Sequence, residues 1–375
     1  MPAEAAVPGG SLPGDLSWVR RAGQSLWLDN LDHAMLSTGA LRRWASELGV
    51  SGLTCNPSIL ARSLTLESGH DASLRLLLER GVTDPLDLVY AITFEDLIPA
   101  AGIFHPTFER SRGQDGFVSL EVPPDLAHRF EETVAWGKQL WERAHLPNLL
   151  IKVPGTAAGL AAGEELIAVG VGVNFTLLFS EAHYLAAADS YLRALGRRQV
   201  NHEPLAVPSV ASVFVSRWDA AADPQVPPAL HHRLGLAMAR RIYAAYRKIL
   251  AGERWVELAN AGAHPQRLLW ASTSTKDPEL PPTFYARALV LAGTIDTLPE
   301  ATLGALASGP PRRMGTPALA EAEKTLGRAR AAGLDVEALG QSLQAQGAER
   351  FAGDWAQLVT AVGEKARRLV PGAVG

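Results

Sequence analysis

Cysteine is nearly missing from this 375-residue chain. Cys55 is the only one, so no disulfide framework forms within it, and the expected compartment is cytoplasmic. No apolar run reaches the ~18–20 residues that span a bilayer. The opening stretch "MPAEAAVPGGSLPGD" has neither the basic nor the apolar region of a secretion signal, and residues 1–15 read as a flexible tail. Positive charge is not in excess. The net charge is −4, the pI is about 6.2 and no basic stripe appears, which argues against nucleic acid as a partner, as the lack of apolar spans argues against membrane. Nucleotide-binding signatures are missing too: no GxGxxG opens a helix after a strand, and no GxxxxGK[ST] occurs. The histidines His33, His70, His105, His183 and the pair His231–His232 form no HExxH or other ligand spacing, so no metal is expected. Lysine is scarce, with only six residues against an arginine majority.

What the chain does have is a long alternation of short apolar runs and helical patterns. "SLWLD", "VSGLTCNP", "GFVSLEVPP", "NLLIKVPGT", "VGVNFTLLFS", "EPLAVPSVASVF", "QRLLWAST" and a run inside "ARALVLAGTIDTLP" read as eight strands. Between them lie helical stretches such as "MLSTGALRRWASELG", stopped by Gly49, "DPLDLVYAITFEDLIPAAGIF" and "ALHHRLGLAMARRIYAAYRKIL". The end, "EALGQSLQAQGAERFAGDWAQLVTAVGEKARRLV", reads as one or two closing helices. Alternation implies a parallel α/β sheet, and eight units favour one closed (β/α)8 TIM barrel over residues 16–375, with additional N- and C-terminal helices, over an open doubly wound sheet.

In such a barrel the active site lies at the carboxyl ends of the strands. Polar residues collect there: Asp29, Asn56, Glu121, Lys152, the pair Asn174 and Thr176 on one face, Ser212 and Ser272. Each has a plainer reading. Asp29 could equally cap the next helix, Asn56 before Pro57 could be a turn residue, and Glu121 before "VPP" a solvated loop acid. Lys152 stands apart. Lys138, Lys248, Lys324 and Lys365 sit in polar, helix-like surroundings, whereas Lys152 interrupts a run of aliphatics. A lysine so placed either snorkels out or works. Burial disfavours the charged form of an amine, and a neutral amine attacks carbonyls to give a Schiff base. Cys55, with no basic partner in sequence, reads as a buried small residue, and the spacing Gly155, Gly159, Gly163 as a helix packed closely on a strand.

The blocks "WLDNLDHAMLSTGAL", "GLTCNPSIL", "LLIKVPGT", "GVNFTLLFS", "VASVFVSRWD" and "WASTSTKD", in this order over about residues 25–300, resemble the transaldolase family. The resemblance implies a transferase of the non-oxidative pentose phosphate branch. It would move a dihydroxyacetone unit from sedoheptulose 7-phosphate or fructose 6-phosphate to glyceraldehyde 3-phosphate or erythrose 4-phosphate, without cofactor. Carried over by motif, Lys152 is the Schiff-base nucleophile. Glu121 is the acid that works through a water, Asp29 the base that takes the C4 hydroxyl proton, and Thr176 a holder of the water. Asn56, Asn174 and Ser212 would bind the dihydroxyacetone hydroxyls, and Phe214 would shape the pocket. Arg217 and Ser272 match phosphate ligands. The better-known "ASFRN" is here "ASTSTKD", which leaves Lys276 as the nearest cation to replace the arginine.

Two other functions compete. Fructose 6-phosphate aldolases, which release free dihydroxyacetone, are shorter and typically carry glutamine and tyrosine where this chain has Glu121 and Phe214. A silent sugar-phosphate-binding barrel is disfavoured because Lys152, Glu121 and Asp29 are all present. A monomer and a homodimer are both compatible with the sequence.

Overall fold

The computed structural model describes residues 14–66, 69–275, 277–312 and 314–370. Residues 1–13 of the expected tail and Lys276 therefore lie outside the described residues. Eight strands form: β1 (Ser25–Asp29), β2 (Gly52–Thr54), β3 (Val118–Glu121), β4 (Leu149–Pro154), β5 (Val173–Leu178), β6 (Ser209–Phe214), β7 (Arg267–Ala271) and β8 (Ile295–Leu298). Every neighbouring pair is parallel, and β1 pairs with β8, so the sheet closes into a barrel. A parallel sheet clothed in helices is buried on both faces, so its strands read as unbroken apolar runs. β4 and β6 are buried along their whole length.

Register brings the site together. Glu121 on β3 lies opposite Lys152 on β4, and Lys152 opposite Asn174 on β5. Side chains paired in this way share a face of the sheet. The β5–β6 register shifts between Phe175 and Leu178, and Leu177 takes a left-handed φ of 59° there.

The helices follow the sequence pattern with informative departures. "MLSTGALRRWASELG" is not one helix. Gly39, at φ 71°, divides His33–Ser37 from Ala40–Arg43, which widens into a π turn over Trp44–Leu48 before Gly49 ends it. The helix expected from residue 229 starts at Leu234, because Pro228–Leu230 forms a 3-10 turn and His232 is left-handed. The helix Pro85–Arg110 runs past the expected end and contains Pro99 and Pro106. A short helix, Ser216–Ala222, follows β6.

The chain ends in one closing helix, Val336–Leu369, rather than two. It lies across the carboxyl ends of the barrel strands. Gln344 Nε2 donates to Gly155 O (3.0 Å) and Leu177 O (2.9 Å), and Ser58 Oγ donates to Asp354 Oδ2 (2.5 Å). Near its end Lys365 is buried, 2.9 Å from Asp71 and donating to Leu64 O at 3.2 Å. Its polar sequence neighbours gave no sign of that. The expected glycine packing is present: a Cβ on Gly163 would meet Phe175 Cε1 at 2.2 Å and one on Gly159 would meet Pro154 O at 2.0 Å.

Candidate active site

A cavity of about 1060 Å³ opens at the carboxyl ends of the strands. Asp29, Asn56, Lys152, Thr176, Ser212, Phe214, Arg217 and Ser272 all line it. Glu121 and Asn174 stand one contact behind that wall. Glu121 is reached through Lys152, and Asn174 through the Ser212 hydroxyl, which donates to Asn174 Oδ1 at 2.7 Å.

Lys152 is 5% exposed. Its Nζ donates to Cys55 O at 3.1 Å and to Glu121 Oε2 at 3.4 Å, and it stands 5.6 Å from the Phe351 ring centre. The lysine therefore does not snorkel out. Two acceptors and an aromatic face hold the amine at the end of its strand. Burial raises the Glu121 carboxyl above the usual range, and the Asp29 charge adds to this against the opposing pull of Lys152. A carboxyl so shifted keeps its proton nearer to neutral pH, which suits a proton donor.

Asp29 does not cap the next helix. Asp32 does so, accepting from Ala34 N at 2.7 Å. Asp29 instead accepts from Thr54 Oγ1 (3.0 Å), itself bonded to Thr297 Oγ1 (2.7 Å), and so is held in the barrel interior. Asn56 is a helix cap rather than a turn residue: its Oδ1 caps the helix Pro57–Ala61 by accepting from Ile59 N at 3.1 Å. That leaves the amide NH₂ as the group to meet a ligand. Asn174 donates to Ser119 Oγ at 3.2 Å, and Thr176 Oγ1 is buried with no hydrogen-bond partner among the described residues.

Phe214 packs tilted against Phe179 (5.3 Å) and edge-on to Phe351 (6.4 Å), and the Arg217 guanidinium lies 5.2 Å from the Phe214 ring centre. Burial, with the nearby Arg350 charge, holds Arg217 below the usual arginine range. Ser272 is left-handed (φ 54°) and its hydroxyl is 3.0 Å from that of Ser216. The Cys55 thiol is buried and pushed up to about 12 by that burial, which makes it inert as a nucleophile.

Among the lining residues that a reading of strand ends misses are Phe351 and Arg350, from the closing helix, and Arg62. Away from the cavity, His33 and His70 converge on Asp96 despite their spacing, at 2.8 and 3.0 Å, so these two are not scattered as expected.

Comparison with known proteins decides the family. The model for "Transaldolase/Fructose-6-phosphate aldolase" matches residues 26–362. The chain belongs to the transaldolase/fructose-6-phosphate aldolase family. Among its relatives, a transaldolase of Thiobacillus denitrificans is 40% identical over 354 residues, covering 92% of this chain and 98% of the relative. Those of Parafrankia sp. and Thermobifida fusca are each 39% identical, covering 93% of this chain and 97% and 98% of the relatives. The barrel expected of the family is the barrel observed. Among the described residues no helix is long and apolar enough to cross a membrane.

Proposed function

We propose that this chain is a transaldolase, moving a dihydroxyacetone unit from sedoheptulose 7-phosphate or fructose 6-phosphate to glyceraldehyde 3-phosphate or erythrose 4-phosphate. Residues 16–375 act as one barrel domain in this reading, and the single free cysteine supports the cytoplasm as its compartment. The observation that carries the proposal is the buried Lys152 amine on the cavity wall, 3.4 Å from a carboxyl that burial keeps protonated to higher pH.

The Lys152 amine attacks the donor ketone carbon, and loss of water gives an iminium. Glu121 delivers the proton that lets the hydroxyl leave, through a water held by the Thr176 hydroxyl, which has no partner among the described residues. Asp29 removes the C4 hydroxyl proton. The C3–C4 bond then breaks, its electron pair flows into the iminium to give an enamine, and the aldehyde departs. The enamine adds to the acceptor aldehyde, whose oxygen takes a proton, and hydrolysis frees the lysine. Asn56, Ser212 and, through Ser212, Asn174 fix the dihydroxyacetone hydroxyls. Phe214 walls the pocket, and Arg217 and Ser272 receive the phosphate. Glu121 and Phe214, in place of glutamine and tyrosine, favour transfer over release.

The test is trapping. Incubation with fructose 6-phosphate and borohydride leaves a dihydroxyacetone-sized adduct on Lys152 by peptide mass spectrometry, and none in Lys152→Ala. Folded protein that binds the sugar phosphate but gives no adduct would leave a barrel that only binds. Adding an acceptor aldehyde separates transfer from release.

A further inference from the structure

We infer that Arg350, on the closing helix, is a second phosphate ligand of the pocket, facing Arg217 and setting the preference for phosphorylated over unphosphorylated sugars. The inference rests on the function proposed above.

The loop after β7 carries "ASTSTKD", so no arginine follows this strand end. The closing helix brings one from elsewhere. Arg350 precedes Phe351, whose ring lies within 5.6 Å of the Lys152 amine and 6.0 Å of the Arg217 guanidinium. Arg350 and Arg217 line the same cavity with Ser272 and Ser274. Arg217 and Arg350 repel each other, and Asp354 offsets only part of this. Arg217 is half-buried, has no carboxylate within 4 Å among the described residues, and is depressed first by burial and then by the Arg350 charge, with Asp354 acting the other way. A phosphate between the two guanidiniums turns that repulsion into attraction and receives two forks of donors.

Arg350 has an acid beside it on its own helix. Its Nε lies 3.8 Å from Asp354 one turn on, and Asp354 accepts from Ser58 on the helix that Asn56 caps. Asp354 is thus tied to the barrel mouth, and the Arg350 side chain stands beside it, still mostly exposed to the opening. Arg62, another cation lining the cavity, lies 4.0 Å from Asp32 and close enough to Glu300 to counter part of the rise that burial and Asp32 impose there.

The experiment compares the full-length wild type with Arg350→Ala, Arg350→Lys and Lys276→Ala. It measures kcat and KM for fructose 6-phosphate and for fructose with an unphosphorylated acceptor aldehyde, and inhibition by inorganic phosphate. In Arg350→Ala the KM for fructose 6-phosphate rises about 10-fold or more, as expected for loss of a charge-assisted contact. Phosphate inhibition weakens in parallel, the loss falls on KM rather than kcat, and Arg350→Lys recovers part of it. Equal changes for fructose and fructose 6-phosphate would overturn the assignment. So would undiminished phosphate inhibition in Arg350→Ala, or loss of phosphate preference in Lys276→Ala alone. Borohydride trapping on the wild type separates the two levels: no adduct there removes the proposed function itself, whereas an adduct with unaltered phosphate preference in Arg350→Ala removes only this inference.

Discussion

Lys152 shows how a side chain acquires a task from its neighbours. The strand buries it, the Cys55 carbonyl and Glu121 receive its donors, and Phe351 closes one side. The two acids differ in setting. Glu121 is buried behind the lysine, while Asp29 lies on the cavity wall and accepts from Thr54. Such a separation of environments divides proton donor from proton acceptor. Glu121→Gln and Asp29→Asn should therefore each lower kcat by about 10²–10⁴-fold, the usual contribution of a positioned acid or base. They should part company in a single-turnover trap. The Glu121 variant accumulates adduct slowly because imine formation is impaired. The Asp29 variant forms an imine but holds the uncleaved donor, giving a heavier adduct. Most of these residues were readable in the sequence because strand ends recur at a predictable point of each unit. Arg350 and Phe351 were not, because position along a closing helix does not say which face covers the mouth.

Among the elements, the strands were the most legible, since their apolar runs are short and bounded. Helix limits were less so. Gly39 breaks a periodic pattern by adopting a left-handed φ, and Pro99 and Pro106 fail to end a helix whose apolar face is deeply buried. The helix Ala157–Ala168 following β4 shows a glycine pattern that was read correctly. Gly163 gives Phe175 of β5 its place, since a methyl there would fall 2.2 Å from the ring. Gly163→Ala should cost about 1–3 kcal/mol, the range for overpacking a filled core, in spite of alanine's better helix propensity. Urea denaturation measures it. A stabilised variant would mean that the helix can slide off the strand at little cost.

At the level of the whole molecule, alternation of strands and helices made the closed barrel legible. The long-range ties that seat the last helix were not, because Gln344, Asp354 and Lys365 look like ordinary surface residues in sequence. A buried acid links further parts. Asp219, in the helix Ser216–Ala222, accepts from Gly235 N (3.0 Å) and Tyr285 Oη (2.7 Å), yet burial raises it from 3.8 to about 6. Between those values the native chain retains a proton that the unfolded chain has lost. Stability from this group is therefore fully present below pH 3.8 and falls as pH rises through about 6. A shift of this size corresponds to about 3 kcal/mol. Asp219→Asn should lack that decline, so that the stability difference between variant and wild type changes by this amount from pH 4 to pH 7 in denaturant titrations. Parallel profiles would show that Asp219 is ionised over the whole interval.

Cys55 places the chain's one sulfhydryl next to the backbone oxygen that receives the Lys152 amine. The thiol is fully enclosed and directed at Ser119 O. No alkylating reagent reaches it unless β2 parts from its neighbours. Maleimide labelling of the unaltered protein is thus a clock for opening of the barrel at its reactive end, read from a single mass shift without any introduced probe. Because the reduced adduct on Lys152 would sit against the same strand, the clock should run slower once it is in place.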